Sequence, residues 1–425
     1  MHDILIVGGG PAGLIAAKTA AEKGLRVLVI ETKRNFDKLT RACSQQFILD
    51  EDYEGEGIVP KEGELYFPKS DFSVPYTGKL VPILNKYYHS PCGNVLRFAR
   101  DNGKTPFSYK FDKEYMLKEL YEVCLSLGVE FLLGATALDG KDYEDHVEVN
   151  VRGIDGPLVV SGKKLIIAEG VNAALCGKMG LNEKRPMVAK ALVVKFYMKG
   201  IKDIEPNSWN LYYGNAFKSN AAIIIGPSLM GDEYNEITIT GSASKKPQDI
   251  YDALVADSPL SAQLKDAELL FKTGCGVSAF PSMRTPYKGN VIAIGDASAF
   301  VEVEVQGAML CGYHAANAIE KELRGEKGFE EYTEWWLKNF EFNKGQDVSV
   351  SQGYALVPFY TDEEIDYLFG LTSGECFYGT YSQYKTPELM WDGILNHAGQ
   401  IMKEKPAIAE KMHHLFNMSL DTAIN

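Results

Sequence analysis

Apolar positions along this chain follow two rhythms. Ile4 to Val7, Val27 to Ile30 and Leu165 to Ala168 are short unbroken apolar runs, the pattern of strands covered on both faces. Between them lie stretches of helical period. Ala12 to Lys23 is Ala-rich and is stopped by Gly24. Phe111 to Leu127 carries Met116, Leu117, Leu120, Val123, Cys124 and Leu127 on one stripe; Gly128 ends it and Val129 to Leu133 is the next strand. Strand, helix and strand in alternation predict a parallel α/β sheet. Asp145 to Val151 and Gly156 to Ser161 alternate as a small hairpin or meander would. Ala191 to Met198, Ala221 to Gly226 and Glu236 to Gly241 alternate too, and predict an antiparallel sheet with one open face. Pro247 to Leu264 reads as a helix with Ile250, Leu254 and Leu260 inward. The Pro-, Gly- and Tyr-rich stretch Glu51 to Thr105, with strand-like pieces at Leu80 to Leu84 and Val95 to Ala99, reads as an insertion. Near the C-terminus, helical pieces are predicted at Glu330 to Lys344, Asp362 to Phe369, Glu388 to Lys403 and Pro406 to Leu420.

The chemistry is concentrated where the first strand ends. Gly8, Gly10 and Gly13 have the G-x-G-x-x-G spacing directly after Val7. Gly8 permits a tight turn, Gly10 bares the backbone to a pyrophosphate, and Gly13 lets the helix pack close to the strand. Pro11 suits a first helical turn, followed by Ala12. The second strand ends on Glu31-Thr32, roughly 20 residues past the glycines, where a carboxylate accepts bonds from ribose hydroxyls. A glutamate there repels a 2′-phosphate, so the ligand is FAD or NAD rather than NADP. Placement at the N-terminus favours FAD. Arg41, Ala42 and Cys43 lie in the segment that would run along the cofactor. Arg41 suits pyrophosphate, substrate or solvent. Cys43 is a thiol beside the flavin or an inert buried one. A second signal is Gly289 to Ala297, an apolar strand delivering Gly295 and Asp296 at its carboxyl end, where an aspartate can accept from a ribityl hydroxyl. The helix Gly307 to Arg324 would then offer the N–H groups of Gly307 and Ala308 to negative charge on a reduced flavin. Glu302 and Glu304 fall between. Either one relays a proton, or their alternation is the solvent face of a short extended piece, the reading slightly favoured by pattern alone.

Composition narrows the class. A chain of 425 residues with 45% hydrophobic and 24% charged residues is globular and multidomain. A formal charge of -13 argues against nucleic acid and an anionic membrane surface. The seven cysteines are scattered with no C-x-x-C, which supports neither a disulfide framework nor a zinc or iron–sulfur site. No run reaches the ~20 apolar residues of a membrane span. The expectation is a reduced, cytoplasmic protein, with peripheral contact to a bilayer left open.

The order of Gly8 to Glu31, the return at Glu169-Gly170 and Gly295-Asp296-Ala297 resembles the p-hydroxybenzoate hydroxylase-like group A flavoproteins. Within them the chain is most similar to the geranylgeranyl reductase family with its FixC-like relatives, from Met1 to about Gly370. The resemblance implies an α/β fold: a Rossmann-like FAD-binding domain (1–50, 107–185, 276–325), an inserted antiparallel-sheet substrate domain (51–106, 186–275) and a C-terminal helical region (326–425). It adds Gly170 to the cofactor set. It departs from the family at Cys43, which Ser44-Gln45 follows instead of glycines. The family's proline and triple glycine after Gly-Asp-Ala are replaced by Phe300 to Gly307, leaving Gly307 for close approach to the ring. The family's arginine before the 116–127 helix gives way to Lys110 or Lys113.

The leading functional reading is a flavin-dependent reductase or dehydrogenase of an apolar or unsaturated substrate, with Cys43, Glu302 and Glu304 as candidate catalytic residues and Tyr87, Tyr88 and His89 as other proton donors. Its electron partner is NAD(P)H, ferredoxin or a flavoprotein. The alternatives are an NAD(P)H- and oxygen-using aromatic hydroxylase, a dehydrogenase feeding a quinone or electron-transfer flavoprotein, and a prenyl-binding escort without activity.

Overall fold

The computed structural model describes residues 1–37, 41–183, 185–344 and 356–416. One sheet carries the parallel core in the spatial order Glu130–Leu133, Val27–Glu31, His2–Val7 and the end of Gly156–Ile167, with Val291–Ala293 parallel to that last strand. Ile6 sits opposite Val29 on one side and Ile166 on the other, so the apolar runs stack side by side, sealed on both faces. The hairpin expectation needs one correction. Gly156–Ile167 is a single strand, not two pieces: its start pairs antiparallel with Val147–Gly153 and its end runs parallel to His2–Val7. Gly162 sits at the changeover, and a Cβ there would lie 2.7 Å from the Leu5 side chain.

The helix Pro11–Glu22 is buried along most of its length because two helices flank it. Against Glu304–Leu323 the approach is backbone to backbone: a Cβ on Gly312 would lie 2.2 Å from the Ala12 carbonyl oxygen. Lys113–Ser126 covers another side through Met116, Leu117, Leu120 and Cys124, started by Asp112, whose carboxylate accepts the Tyr115 N–H at 3.0 Å.

A second eight-stranded sheet runs in the order Glu268–Ala279, Ala189–Lys199, Tyr234–Gly241, Ile223–Pro227, Ser208–Tyr212, Asn85–His89, Val95–Ala99 and Cys376–Tyr378. Most pairs are antiparallel, as expected, but Ser208–Tyr212 beside Asn85–His89 and Cys376–Tyr378 beside Val95–Ala99 are parallel. The region after 326 therefore adds a strand as well as helices. Its apolar residues Val357, Leu368, Phe369, Met390, Trp391 and Ile394 pack on Tyr88, Phe98, Trp209 and Leu211 of this sheet. Each such large side chain contributes about 1.5–3 kcal/mol on burial.

Several helices differ in extent from the pattern. Pro247–Ala256 and Ser261–Leu264 are separate, because Pro259 cannot continue a helix from Asp257 and Ser258. The 330–344 piece splits into Gly328–Asn339 and a 3₁₀ turn at Glu341–Lys344, and the 388–403 piece into Lys385–Leu395 and Ala398–Glu404. The last helix is Pro406–Phe416; the expected 417–420 lie outside the described residues. Among the described residues no helix is long and apolar enough to cross a membrane.

Candidate functional site

The carboxyl ends of the parallel strands enclose a cleft of about 420 Å³. At one end stands the glycine turn, and each glycine has its own steric reason. Gly8 has φ +107, and a Cβ there would lie 2.2 Å from the Ala168 carbonyl oxygen. On Gly13 it would lie 1.9 Å from the Gly8 oxygen; this residue packs helix on strand and does not line the cleft. On Gly10 it would meet nothing within 4 Å, since this position opens into the cleft beside Pro11 and Ala12. The Glu31 carboxylate is fixed there by the N–H groups of Gly9 and Lys33 (2.8 Å for Lys33) and the Thr32 hydroxyl at 2.9 Å. Thr32 lines the same wall.

Arg41, Ala42 and Cys43 form the opposite side with Gly170, Gly295 and Asp296. Gly170, at φ +77, leaves room for the Arg41 guanidinium, 3.1 Å from where its Cβ would stand. Glu169 turns away and caps the next helix, accepting from Leu175 and Cys176 N–H at 3.0 and 2.9 Å. Asp296 takes the Val303 N–H at 3.0 Å on one oxygen and faces Arg41 at 3.8 Å with the other. Burial works against the Arg41 charge, but Asp296, Cys275 and Glu302 together outweigh it, and the guanidinium holds its proton more firmly than usual. The Cys43 sulfur receives the Lys113 amine at 3.5 Å.

Three expectations are corrected here. First, the helix after Asp296 starts at Glu304, three residues early, so Ala308 is not among its free N–H groups although it still lines the cleft. Second, Gly307 does not face the ring position. A Cβ on it would lie 2.0 Å from the Glu54 carboxylate, so its bareness accommodates Glu54. Third, Glu302 and Glu304 are not a solvent face. Val301 (φ +64) and Glu304 (φ +54) both sit in the left-handed region, which folds the segment inward, and both carboxyls line the cleft half-buried. Burial and then Asp296 push Glu302 up to about 7, against the pull of Arg41 and Lys113. Burial and then Glu302 raise Glu304 further. Tyr87, Tyr88 and His89 lie on the second sheet and none lines the cleft.

Four other participants escape a reading of the motifs. Lys33, Asn172 and Thr136 line the cleft. Arg185 does not, but it donates to the carbonyls of Pro281 (2.6 Å), Ala297 and Ala299 (both 3.0 Å), which holds the loop that carries Asp296. Only Lys33, two residues past Glu31, had a local signal. Behind Cys43, Glu236 bridges two buried lysines, Lys110 at 2.7 Å and Lys195 at 2.6 Å. The same amines reach back to the carbonyls of Ser44 (3.3 Å, from Lys110) and Cys43 (from Lys195). Burial lowers Lys110 to about 8, while for Lys195 and Glu236 the ion pairs outweigh burial and hold the charged forms.

Fold and cleft together define an FAD-dependent oxidoreductase: a glycine turn without a side chain at Gly10, the Glu31 carboxylate held at the next strand's end, and an acid, Asp296, after Val291–Ala293. A family model described as pyridine nucleotide-disulphide oxidoreductase matches residues 2–192. The digeranylgeranylglycerophospholipid reductase of Methanocaldococcus jannaschii is 22% identical over 80% of this chain and 84% of its own length. That of Methanosarcina acetivorans is 24% identical over 83% of each. Among solved structures, a geranylgeranyl bacteriochlorophyll reductase-like protein from Thermoplasma acidophilum superposes with a TM-score of 0.74 at 17% identity, covering 97% of this chain and 99% of that one. A flavin-dependent brominase superposes at 0.60 and 18% identity, covering 94% and 99%. Within its class, the chain is similar to the geranylgeranyl reductases, as the motifs implied.

Proposed function

We propose that this protein reduces carbon–carbon double bonds of an apolar, isoprenoid-type substrate, with electrons from an external donor. The observation that carries the reading is the pair of half-buried carboxyls, Glu302 and Glu304, lining the same cleft as the glycine turn and Glu31. Saturating a double bond takes a hydride at one carbon and a proton at the other. FAD, when bound, supplies the hydride. The chain supplies the rest. Gly8 and Gly10 bring backbone to the pyrophosphate, Glu31 takes ribose hydroxyls, and Arg41 with Asp296 orients the ribityl side. Glu302, titrating at about 7, holds a proton at neutral pH where a solvent-exposed glutamate would not. Cys43 and Lys113 face the same space. The names of the relatives support the substrate class.

We assign 1–50, 107–185 and 276–325 to the cofactor domain, 51–106 and 186–275 to the substrate domain, and 326–425 to a covering region. All seven cysteines are free, which suits a reducing compartment such as the cytoplasm. The test is anaerobic. Chemically reduced protein is mixed with digeranylgeranylglycerophospholipid, then with simpler polyprenyl lipids. Flavin reoxidation with product two hydrogens heavier is expected. No reoxidation by any of them, together with NADH-driven hydroxylation of aromatics under air, would overturn the reading. NAD(P)H, ferredoxin and a reduced flavoprotein are then compared as donors.

A further inference from the structure

We propose that Glu304, Glu54 and Glu341 form a route carrying protons from the protein surface near Lys385 to the cofactor cleft. At the inner end, Glu304 is the first residue of its helix, lines the cleft and accepts the Ser44 hydroxyl at 3.2 Å. One turn on, along the same helix face, is Gly307, and a Cβ there would lie 2.0 Å from Glu54 Oε2. Glu54 is thus laid against the helix at Gly307, one turn from Glu304, close enough for the two carboxyls to feel each other's charge.

Glu54 is 3% exposed and sits in a three-residue turn, Tyr53–Gly55, with φ 51. Its Oε2 makes no close hydrogen bond, and the polar group that faces the carboxyl is the hydroxyl of Tyr53, which is wholly buried beside it. A carboxylate buried without a close partner is very costly, and an amide or apolar group in its place would cost less, so an ionisable group here has a use beyond packing. Burial, then Glu341 and Glu304, keep Glu54 protonated well above the ordinary carboxyl range. The outward step follows from packing. A Cβ on Gly55 would lie 2.8 Å from the Asn339 side chain, which seats the turn against the end of the helix that leads into Glu341. Glu341 is 9% exposed and raised by burial, with Lys344, Lys385 and Asp52 facing it. Asp52 and Lys385 bond at 2.6 Å, and the Asp52 side chain is 73% exposed. At the cleft end the facing charges are Glu302, Asp296 and Cys43.

The transfers balance without any oxidant. Glu304 gives its proton to an acceptor in the cleft, takes one from Glu54, Glu54 takes one from Glu341, and Glu341 is refilled by water. The inference rests on the flavoprotein reading only for what consumes the proton. The full-length chain, with and without FAD, is examined by infrared spectroscopy at neutral pH for protonated carboxyl absorption, in wild type, Glu54→Gln and Glu341→Gln. Glu54→Gln is expected to lose one band. On the FAD-loaded protein, reduction by dithionite at alkaline pH is followed by stopped flow. Each variant is expected to slow it by about a hundredfold, the low end of what a positioned proton donor contributes, with recovery on adding a small weak acid. Wild-type rates in both variants, or unchanged carboxyl bands in Glu54→Gln, would overturn the route. A protein that takes up no FAD but loses the band in Glu54→Gln would sink the cofactor reading and leave protonated Glu54 standing.

Discussion

Gly10→Val separates holding the cofactor from holding the fold. The backbone at Gly10 is extended, at φ −81 and ψ −174, which valine before a proline adopts without strain. A Cβ there meets no protein atom within 4 Å. The apoprotein should therefore unfold within about 0.5 kcal/mol of wild type, as for a substitution that disturbs no packing. The cost falls on the ligand. The branched side chain occupies the space through which a pyrophosphate reaches the free N–H groups of the helix Pro11–Glu22. Hydrogen bonds to charged groups are worth about 1.5–3 kcal/mol each, so losing two costs about 3–6 kcal/mol, or roughly 10²–10⁴ in affinity. The assay is flavin absorbance of the purified protein, then fluorescence titration of apoprotein with FAD, beside a thermal melt of the apo form. Gly13→Ala is the contrast. Its methyl would lie 1.9 Å from the Gly8 oxygen, so it should lower the apo melting temperature itself. A Gly10→Val protein that purifies fully yellow with unchanged affinity would refute the assignment of this turn to pyrophosphate.

Three further outcomes are expected. Asp296→Ala frees the Val303 N–H and the Arg41 guanidinium and should weaken FAD binding by about 1–2 kcal/mol, read by the same titration. Arg185→Lys cannot serve the carbonyls of Pro281, Ala297 and Ala299 together and should cost about 2–4 kcal/mol in denaturant unfolding, unlike substitutions of exposed arginines. Glu302 binds its proton more tightly folded than unfolded, so its contribution favours the native state at low pH and is lost as pH rises from the ordinary carboxyl range through about 7. Melting temperatures of the apoprotein across that window should fall more steeply for wild type than for Glu302→Gln; parallel curves would mean that Glu302 is ionised throughout.

The glycine turn was legible because its causes are local. Three residues without a Cβ, a strand before and a glutamate at the next strand's end are all written within 31 positions. On the opposite side Arg41, Cys43, Gly170, Gly295 and Asp296 were legible from their places after strand ends, but the course of 301–304 and the long-range supports were not, for two physical reasons. Val301 and Glu304 take a left-handed backbone that their own side chains disfavour, so a pattern reading assigns them an extended piece and sends Glu302 and Glu304 outward. Tertiary packing overrides that preference. Arg185 and the Lys110–Glu236–Lys195 group act across 112 and 126 positions of chain, and no periodicity records such partners. Gly307 was singled out correctly as a place where bulk is forbidden, but what forbids it is Glu54, some 250 residues earlier by the same count as Gln306 to Glu56.

The Lys110–Glu236–Lys195 group has a consequence for how this chain can diverge. Two positive charges and one negative share a dry site, and each amine also supports a carbonyl of the segment holding Cys43. Exchanging Glu236 alone strands two buried amines, at a penalty of about 3–5 kcal/mol, a large part of a domain's whole margin, whereas exchanging one lysine leaves a balanced pair. Descendants of this sequence should thus keep a buried lysine at 110 or 195 wherever glutamate 236 is kept, and a collection of orthologues that lose glutamate 236 while retaining both lysines would contradict that coupling.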